Sequence, residues 1–221
     1  MSRQYILAGL VALAVVVMGV AAYYVFFASS GSDAVPSSGP MGIVLTKADR
    51  TLGSPKAPLT VLEYAAPTCP HCAHFEMDIF PQFKQQYIDS GKVFFVFRVF
   101  PLNAVDVAAE SMARCLPEDN YFQFLDLLYR NQPKWDPEYQ PPDVHAGLVE
   151  MGRIAGMSAQ QVDGCIANQA ESKRIQDVGT DAQTKYGING TPSFVVNGQM
   201  HGPFEDFQEL KSFIDPMLSK K

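Results

Sequence analysis

Two cysteines two residues apart, in Cys69-Pro70-His71-Cys72, are the side chains of this chain best suited to chemistry. Three positions on, Cys72 lies on the same helix face as Cys69, so the two sulfurs can meet in a strained but feasible bridge. Reversible thiol–disulfide exchange is the chemistry such a pair offers. Its setting strengthens that reading. The apolar, β-compatible run Leu59 to Ala65 ends just before the pair, and helix-compatible sequence begins at Pro70. Proline suits the first helical turn, because its missing N–H would have had no partner there. Cys69 then becomes the cap residue, with free N–H groups and the positive end of the helix dipole facing its sulfur. Both favour the thiolate, which is the attacking form. Lowering the thiol pKa by one is worth about 1.4 kcal/mol in its favour. Cys69 is expected at an exposed tip, exchanging with substrates, and Cys72 deeper in the turn, resolving the mixed disulfide. An imidazolium at His71 would add positive charge beside Cys69. Stabilising the reduced form makes the disulfide a stronger oxidant.

Other chemistries fit these residues less well. A buried, inert disulfide would not need the strand-to-helix position. Cys69, Cys72 and His74 offer three metal ligands, but no second Cys or His cluster completes a structural zinc site, so no metal is expected. Covalent haem needs His directly after Cys72, where Ala73 stands. The only redox group expected is the Cys69–Cys72 disulfide itself, with no added cofactor.

The elements that must position the pair follow from patterning. Ile43 to Leu45 reads as a short edge strand, and Gly53 to Pro58 as a turn. Leu59 to Ala65 reads as a buried strand. A helix is expected from Pro70 to about Ser90, with a kink or break at Pro81 and a stop at Gly91. Lys92 to Phe100 is a β-prone run that Pro101 ends. Asn103 to Cys115, Asn120 to Arg130, Asp143 to Ala155 and Ser158 to Asn168 read as helices, and Ser158 with Gln161 resembles a capping box. These helices lie between strand-like halves and so read as an inserted subdomain. Glu171 to Tyr186 is a further helix, ended by Gly187. Ser193 to Val196 and Gln199 to His201 read as a hairpin about Asn197-Gly198. A last helix is expected from about Phe204 to Leu218. The fold class is α/β, a mixed sheet with helices on both faces.

A chain of 221 residues has room for one domain, or one domain with an insertion. A net charge of -6 without a clustered basic face gives no reason to expect nucleic acid. Ile6 to Phe27 is almost unbroken apolar sequence, long enough to span a bilayer, and Arg3 is the only charge before Asp33. That flank predicts the N-terminus inside and the remainder outside. Residues 1–28 are therefore read as an uncleaved signal-anchor and the Ser/Gly/Pro-rich residues 29–41 as a flexible tether. A cleaved signal peptide is the alternative, with Ala28 and Ser29 as its processing site, although its apolar core would be shorter. Both readings export the rest of the chain. Outside the cytoplasm an even number of cysteines suggests disulfides. The other two are Cys115 and Cys165.

Val61-Leu62-Glu63-Tyr64 running into Cys69-Pro70-His71-Cys72, the helical insertion, and Gly190-Thr191-Pro192-Ser193-Phe194 together resemble the DsbA family of thioredoxin-fold proteins, over about residues 42–220. The resemblance implies a thioredoxin-like domain from 42–101 and 170–221, with residues 102–169 as the insertion. It implies a thiol–disulfide oxidoreductase outside the cytoplasm, on the periplasmic face, that oxidises dithiols of exported proteins. A membrane quinone reductase like DsbB would reoxidise it. Thr191-Pro192 matches the loop whose proline is cis and faces the disulfide. There it would leave the Thr191 backbone free for a substrate strand and keep metals off the sulfurs. Glu63 matches the buried acid beneath the cysteines. A carboxylate in a buried apolar strand has a raised pKa, which suits accepting a proton from Cys72. A solvated strand end is the plainer alternative, and Arg98 in the neighbouring β run could instead neutralise Glu63. Some members carry a second disulfide in the insertion. Cys115 with Cys165 fits a structural bridge, the alternatives being a pair that tunes the redox site or stays reduced.

Two rival functions stand beside the oxidase. One is an isomerase or reductase of the same fold: Thr191 before the proline is common in isomerases, whereas Pro70 and His71 lean to an oxidase. Isomerases of this type carry an N-terminal dimerisation module that the tether is too short to hold, so a monomer is expected. The other is a membrane-anchored binding or chaperone protein using the groove near Pro192 without redox turnover. Trp135, His145 and the methionines read as packing or surface. Asn189-Gly190-Thr191 matches a glycosylation pattern, which Pro192 argues against.

Overall fold

The near-continuous apolar run from Leu59 to Ala65 is buried on both faces as one strand, and the rest of the fold is layered on it. A computed structural model describes residues 43–196 and 198–219, all within the unit that runs from Ser37 to the C-terminus. The expected membrane span, the tether and Asn197 of the hairpin turn lie outside the described residues. Among the described residues no helix is long and apolar enough to cross a membrane.

Strands β1 (Arg50–Leu52), β2 (Leu59–Ala65), β3 (Val93–Val99), β4 (Ser193–Val196) and β5 (Gln199–His201) form one mixed sheet in the order β1-β3-β2-β4-β5. β2 runs parallel to β3, while β1, β4 and β5 pair antiparallel with their neighbours. Successive side chains point to opposite faces. Leu59, Val61, Phe95, Phe97 and Phe194 therefore build one core. Leu62, Tyr64, Phe94, Val96 and Val195 build the other.

The first core is covered by the active-site helix, the insertion and the C-terminal helix. The active-site helix comprises α1 (Pro70–His74), a π turn (Phe75–Ile79), α2 (Phe80–Phe83) and a second π turn (Lys84–Ile88). Pro81 neither ends nor breaks it. A proline has no N–H to offer and its ring crowds the carbonyl four residues back. The wider π turn just before it relieves both demands, with the Phe80 N–H bonding back to the Phe75 carbonyl.

The insertion holds α3 (Ala104–Cys115), α4 (Tyr121–Arg130), α5 (Gln132–Trp135), α6 (Val144–Ile154) and α7 (Ala159–Ile166). Asn103, Asp143 and Ser158 cap α3, α6 and α7, and the expected Ser158–Gln161 capping box is formed. α5 is too short to carry a periodic signal and was not expected. Gly147 in α6 lets α5 pack closely, since a Cβ there would collide with the Lys134 carbonyl oxygen. α8 (Gln169–Tyr186) lies on the second core through Val178, Ala182 and Tyr186, and Gly187 ends it in the left-handed conformation, φ 68°. α9 (Phe207–Ser219) closes the first core.

The edge strand is not where the pattern placed it. Val44 makes only an isolated bridge, and the strand is Arg50–Leu52. Ile43 is instead a buried plug in the second core. A three-residue apolar run does not distinguish these two fates.

Cys115, the last residue of α3, is disulfide-bonded to Cys165 in α7, with S–S 2.01 Å. Cross-linking a 50-residue separation contributes about 4 kcal/mol in the chain-entropy treatment. The Cys115→Ser/Cys165→Ser double variant is expected to unfold at clearly lower denaturant, with a loss approaching that figure. An unchanged midpoint would rule out a stabilising bridge.

Candidate active site

The junction of β2 and α1 builds the site. Cys69 has extended backbone, φ -75° and ψ 119°, and is the N-cap of α1, with Pro70 in the first turn. Its sulfur takes the place that a capping oxygen usually fills. The Cys72 backbone N–H donates to the Cys69 Sγ at 3.4 Å, and the thiol donates in turn to the Thr191 carbonyl at 3.3 Å. Both cysteines are free thiols, so this is the reduced state.

The two sulfurs sit in unlike surroundings. The Cys69 thiol is lowered to about 6. Donation from the Cys72 thiol is the largest cause. Burial opposes it, and the N–H groups of Cys72 and His71 add to the lowering. Cys72 is pushed well up, first by burial, then by the hydrogen bond it donates and by negative charge at Cys69 and Glu63. The pair is thus split into a thiolate and a thiol. The exposed tip expected of Cys69 is only partly realised. Pro70 and His71 are exposed, but Cys69 keeps 4% of its surface, because the loop ending at Thr191 lies over it. His71 thereby acts on the sulfur through its backbone N–H.

Thr191-Pro192 is a cis peptide facing Cys69. Ser193, next in the chain, bonds its hydroxyl to the Gly190 carbonyl and opens β4, which pairs with β2. Sheet pairing therefore brings residues 191 and 69 together.

Glu63 is 2% exposed and points into the first core, on the active-site side of β2. Burial holds its carboxyl well above the usual range, and negative charge at Glu76 and Cys69 adds to this. Its Oε2 has no hydrogen-bond partner among the described residues. The Arg98 alternative fails on register. Arg98 pairs with Tyr64, on the opposite face from Glu63. Its guanidinium binds Asp49 at 2.7 and 2.8 Å and the Tyr64 hydroxyl at 3.2 Å.

Some neighbours were not visible in the sequence. The Tyr129 hydroxyl is buried without a partner among the described residues, and its phenol is pushed well up by burial, with Cys72 and Glu63 adding. Glu76, one turn beyond Cys72, is raised to about 8 by burial and by Asp126, with Arg130 opposing. Nothing in their sequence context marks either as a site residue. His74 lies apart from the sulfurs' chemistry, bonding Asp78 at 2.8 Å and the Glu205 carbonyl at 3.1 Å. Among the described residues no group of three or more His, Cys, Asp or Glu is arranged to hold a metal. Trp135 is buried with its indole N–H on the Leu128 carbonyl, and His145 pairs with Asp163 at the surface.

Comparison with known proteins places this arrangement. The sequence profile of the family described as Thioredoxin matches residues 45–216. A putative protein-disulfide oxidoreductase of Rickettsia felis is 31% identical over 179 residues, covering 78% of this chain and 61% of the relative, so this chain spans well under the whole of that protein. A probable disulfide bond formation protein D of Bacillus cereus is 29% identical over 175 residues, covering 77% of this chain and 79% of the relative. The crystal structure of Wolbachia pipientis alpha-DsbA1 superposes with a TM-score of 0.72 at 28% identity, covering 80% of this chain and 94% of that one.

Two measurements check the split between the sulfurs and the acid beneath them. Alkylation of the reduced protein is expected to modify Cys69 alone near neutral pH, with a rate profile whose midpoint lies at about 6. A midpoint near the ordinary thiol value would show that this site does not favour the Cys69 thiolate. Glu63 ionises in the usual range when unfolded but keeps its proton well above that range when folded. Stability contributed by the protonated acid is therefore complete at low pH. It falls by about 1.4 kcal/mol for each pH unit climbed through the interval. Glu63→Gln removes that slope, so the variant should exceed wild type in stability at neutral pH and converge with it in acid. Parallel stability curves would show that Glu63 is ionised in the fold.

Proposed function

Because the chain belongs to the thioredoxin family, and within it to the DsbA group, we propose that it is a thiol:disulfide oxidoreductase that oxidises the dithiols of exported proteins through Cys69 and Cys72. The observation that carries this reading is the Cys69 sulfur serving as the cap of α1. A sulfur held as thiolate is a good leaving group, and stabilising the reduced state makes the couple oxidising.

The steps follow from the geometry. A substrate thiolate attacks the Cys69 sulfur of the oxidised pair. The Cys69–Cys72 bond breaks, a mixed disulfide forms at Cys69, and Cys72 leaves as a thiolate. Buried Cys72 strongly favours the thiol, and protonated Glu63 is suited to supply that proton. A second substrate thiolate then attacks the substrate sulfur of the mixed disulfide. Cys69 departs as its stabilised thiolate, the substrate gains a disulfide, and two electrons remain on the pair. In the reverse direction ionised Glu63 takes the Cys72 proton. The Thr191 backbone beside Cys69 is placed to align an extended substrate segment.

In this reading residues 1–28 anchor the protein in the cytoplasmic membrane and residues 29–41 tether the redox domain on the extracytoplasmic, periplasmic face. The domain works as a monomer on reduced, unfolded polypeptides. A DsbB-like membrane quinone reductase restores the disulfide. No metal or added cofactor takes part.

Thr191 keeps an isomerase or reductase in view, and one set of assays separates oxidation from reduction and tests whether Cys69 is required. The full chain should oxidise a reduced, unfolded test protein, and Cys69→Ala should lose this activity entirely. Its couple, equilibrated with glutathione, should lie well to the oxidising side of thioredoxin. A thioredoxin-like potential would favour reduction. Full oxidising activity in Cys69→Ala would overturn the proposal, and a non-redox effect on unfolded protein that survives removal of both Cys69 and Cys72 would point to a binding or chaperone role.

A further inference from the structure

The turn that presents Cys69 is held from outside the sheet. Asp106, in the first turn of α3, is wholly buried. Its Oδ1 accepts the Thr68 N–H at 2.7 Å, and its Oδ2 accepts the N–H groups of Leu102 and Asn103 at 2.8 and 3.2 Å. The Thr68 hydroxyl accepts from Asn103 Nδ2 at 3.1 Å, tying the same turn to the cap residue of α3. Gln132, at the start of α5 and 2% exposed, reaches the turn from another helix. Its Nε2 donates to the Pro67 carbonyl at 2.9 Å and the Cys69 carbonyl at 3.2 Å. Residues 67, 68 and 69 are each gripped by the insertion. Within the turn, the Cys69 N–H donates to the Ala66 carbonyl and the Ala73 N–H to the Cys69 carbonyl.

We propose that Asp106 and Gln132 are positioning residues for Cys69, through which the helical insertion sets the reactivity of the attacking sulfur. The proposal rests on the reading of Cys69 as the sulfur that exchanges with substrate. Burying a carboxylate costs several kcal/mol unless it is well bonded, so an apolar side chain would fill the same space at less cost. The carboxylate is justified by where its bonds go. The contact they protect is the one from the Cys72 N–H to the Cys69 sulfur at 3.4 Å, an ordinary length for a sulfur acceptor, and its alignment depends on where the backbone of residue 69 is held. A loosened turn draws the sulfur away from the Cys72 thiol and from the N–H groups of Cys72 and His71, and returns it toward an ordinary thiol. The bare charge of Asp106 would act with the opposite sign, since a nearby anion disfavours a thiolate. Position and charge are therefore separable by experiment.

The test is the pH profile of Cys69 alkylation in the reduced full-length protein, with circular dichroism to confirm folding. Gln132→Leu changes no charge, so any displacement of the profile it causes is positional. Gln132→Leu and Asp106→Ala should both move the midpoint upward, and a midpoint one pH unit above about 6 slows alkylation at pH 6 by about fivefold. Asp106→Asn keeps an acceptor for the Thr68 N–H and should move it less. An unchanged midpoint in folded variants, with only thermal stability reduced, would overturn the proposal. So would a downward movement in the Asp106 variants, which would assign Asp106 a purely electrostatic effect. If Asp106→Ala does not fold, Gln132→Leu alone decides. A wild-type midpoint in the ordinary thiol range would overturn the active-site reading itself, and this proposal with it.

Discussion

A helix that begins in the interior leaves N–H groups that need acceptors, and in this protein a sulfur is one of them. That demand at Cys69 organises the rest of the site. It requires β2 to stop at Ala65 and the chain to turn within four residues so that Pro70 can start the helix. It makes the two cysteines unequal although only two residues separate them. It also explains why the facing loop matters: the Thr191 carbonyl occupies the approach to the same sulfur.

The second constraint is depth. Cys72 and Glu63 share the first core, where burial disfavours either charge and raises the pKa of each group. In the proposed exchange, Glu63 would hold the proton that Cys72 gains and loses, without a solvated base. Strand alternation enforces the arrangement. Glu63 faces the active-site core, while Tyr64 and Arg98 face the other, where Arg98 is neutralised by Asp49. A one-residue slip in β2 would exchange these environments. The insertion stands across the same core. Its helices close the space over Phe97 and Cys72, and Asp106 and Gln132 reach back to the catalytic turn. The Cys115–Cys165 bridge ties α3, which carries Asp106, to α7.

Much of this was legible from residue types and spacing alone. The Cys-Pro-His-Cys spacing, the apolar run before it and the proline after Cys69 determined a strand-to-helix junction with a capping sulfur, because each is a local constraint. Asn103, Asp143, Ser158 and Gly187 marked helix ends for the same reason. The tertiary structure decided whatever depends on residues far apart in sequence. Ile43 became a core plug, not a strand, because the second core had space for it. Arg98 was removed from Glu63 by a register that no single strand reveals. Gln132 and Asp106, in an ordinary polar context, reach the active-site turn only because the insertion folds over it. The opening pair was thus visible as a reactive pair in sequence. Its shielding beneath Thr191, and the grip that holds its turn, come from backbone pairing and burial across long chain separations, which local pattern does not encode.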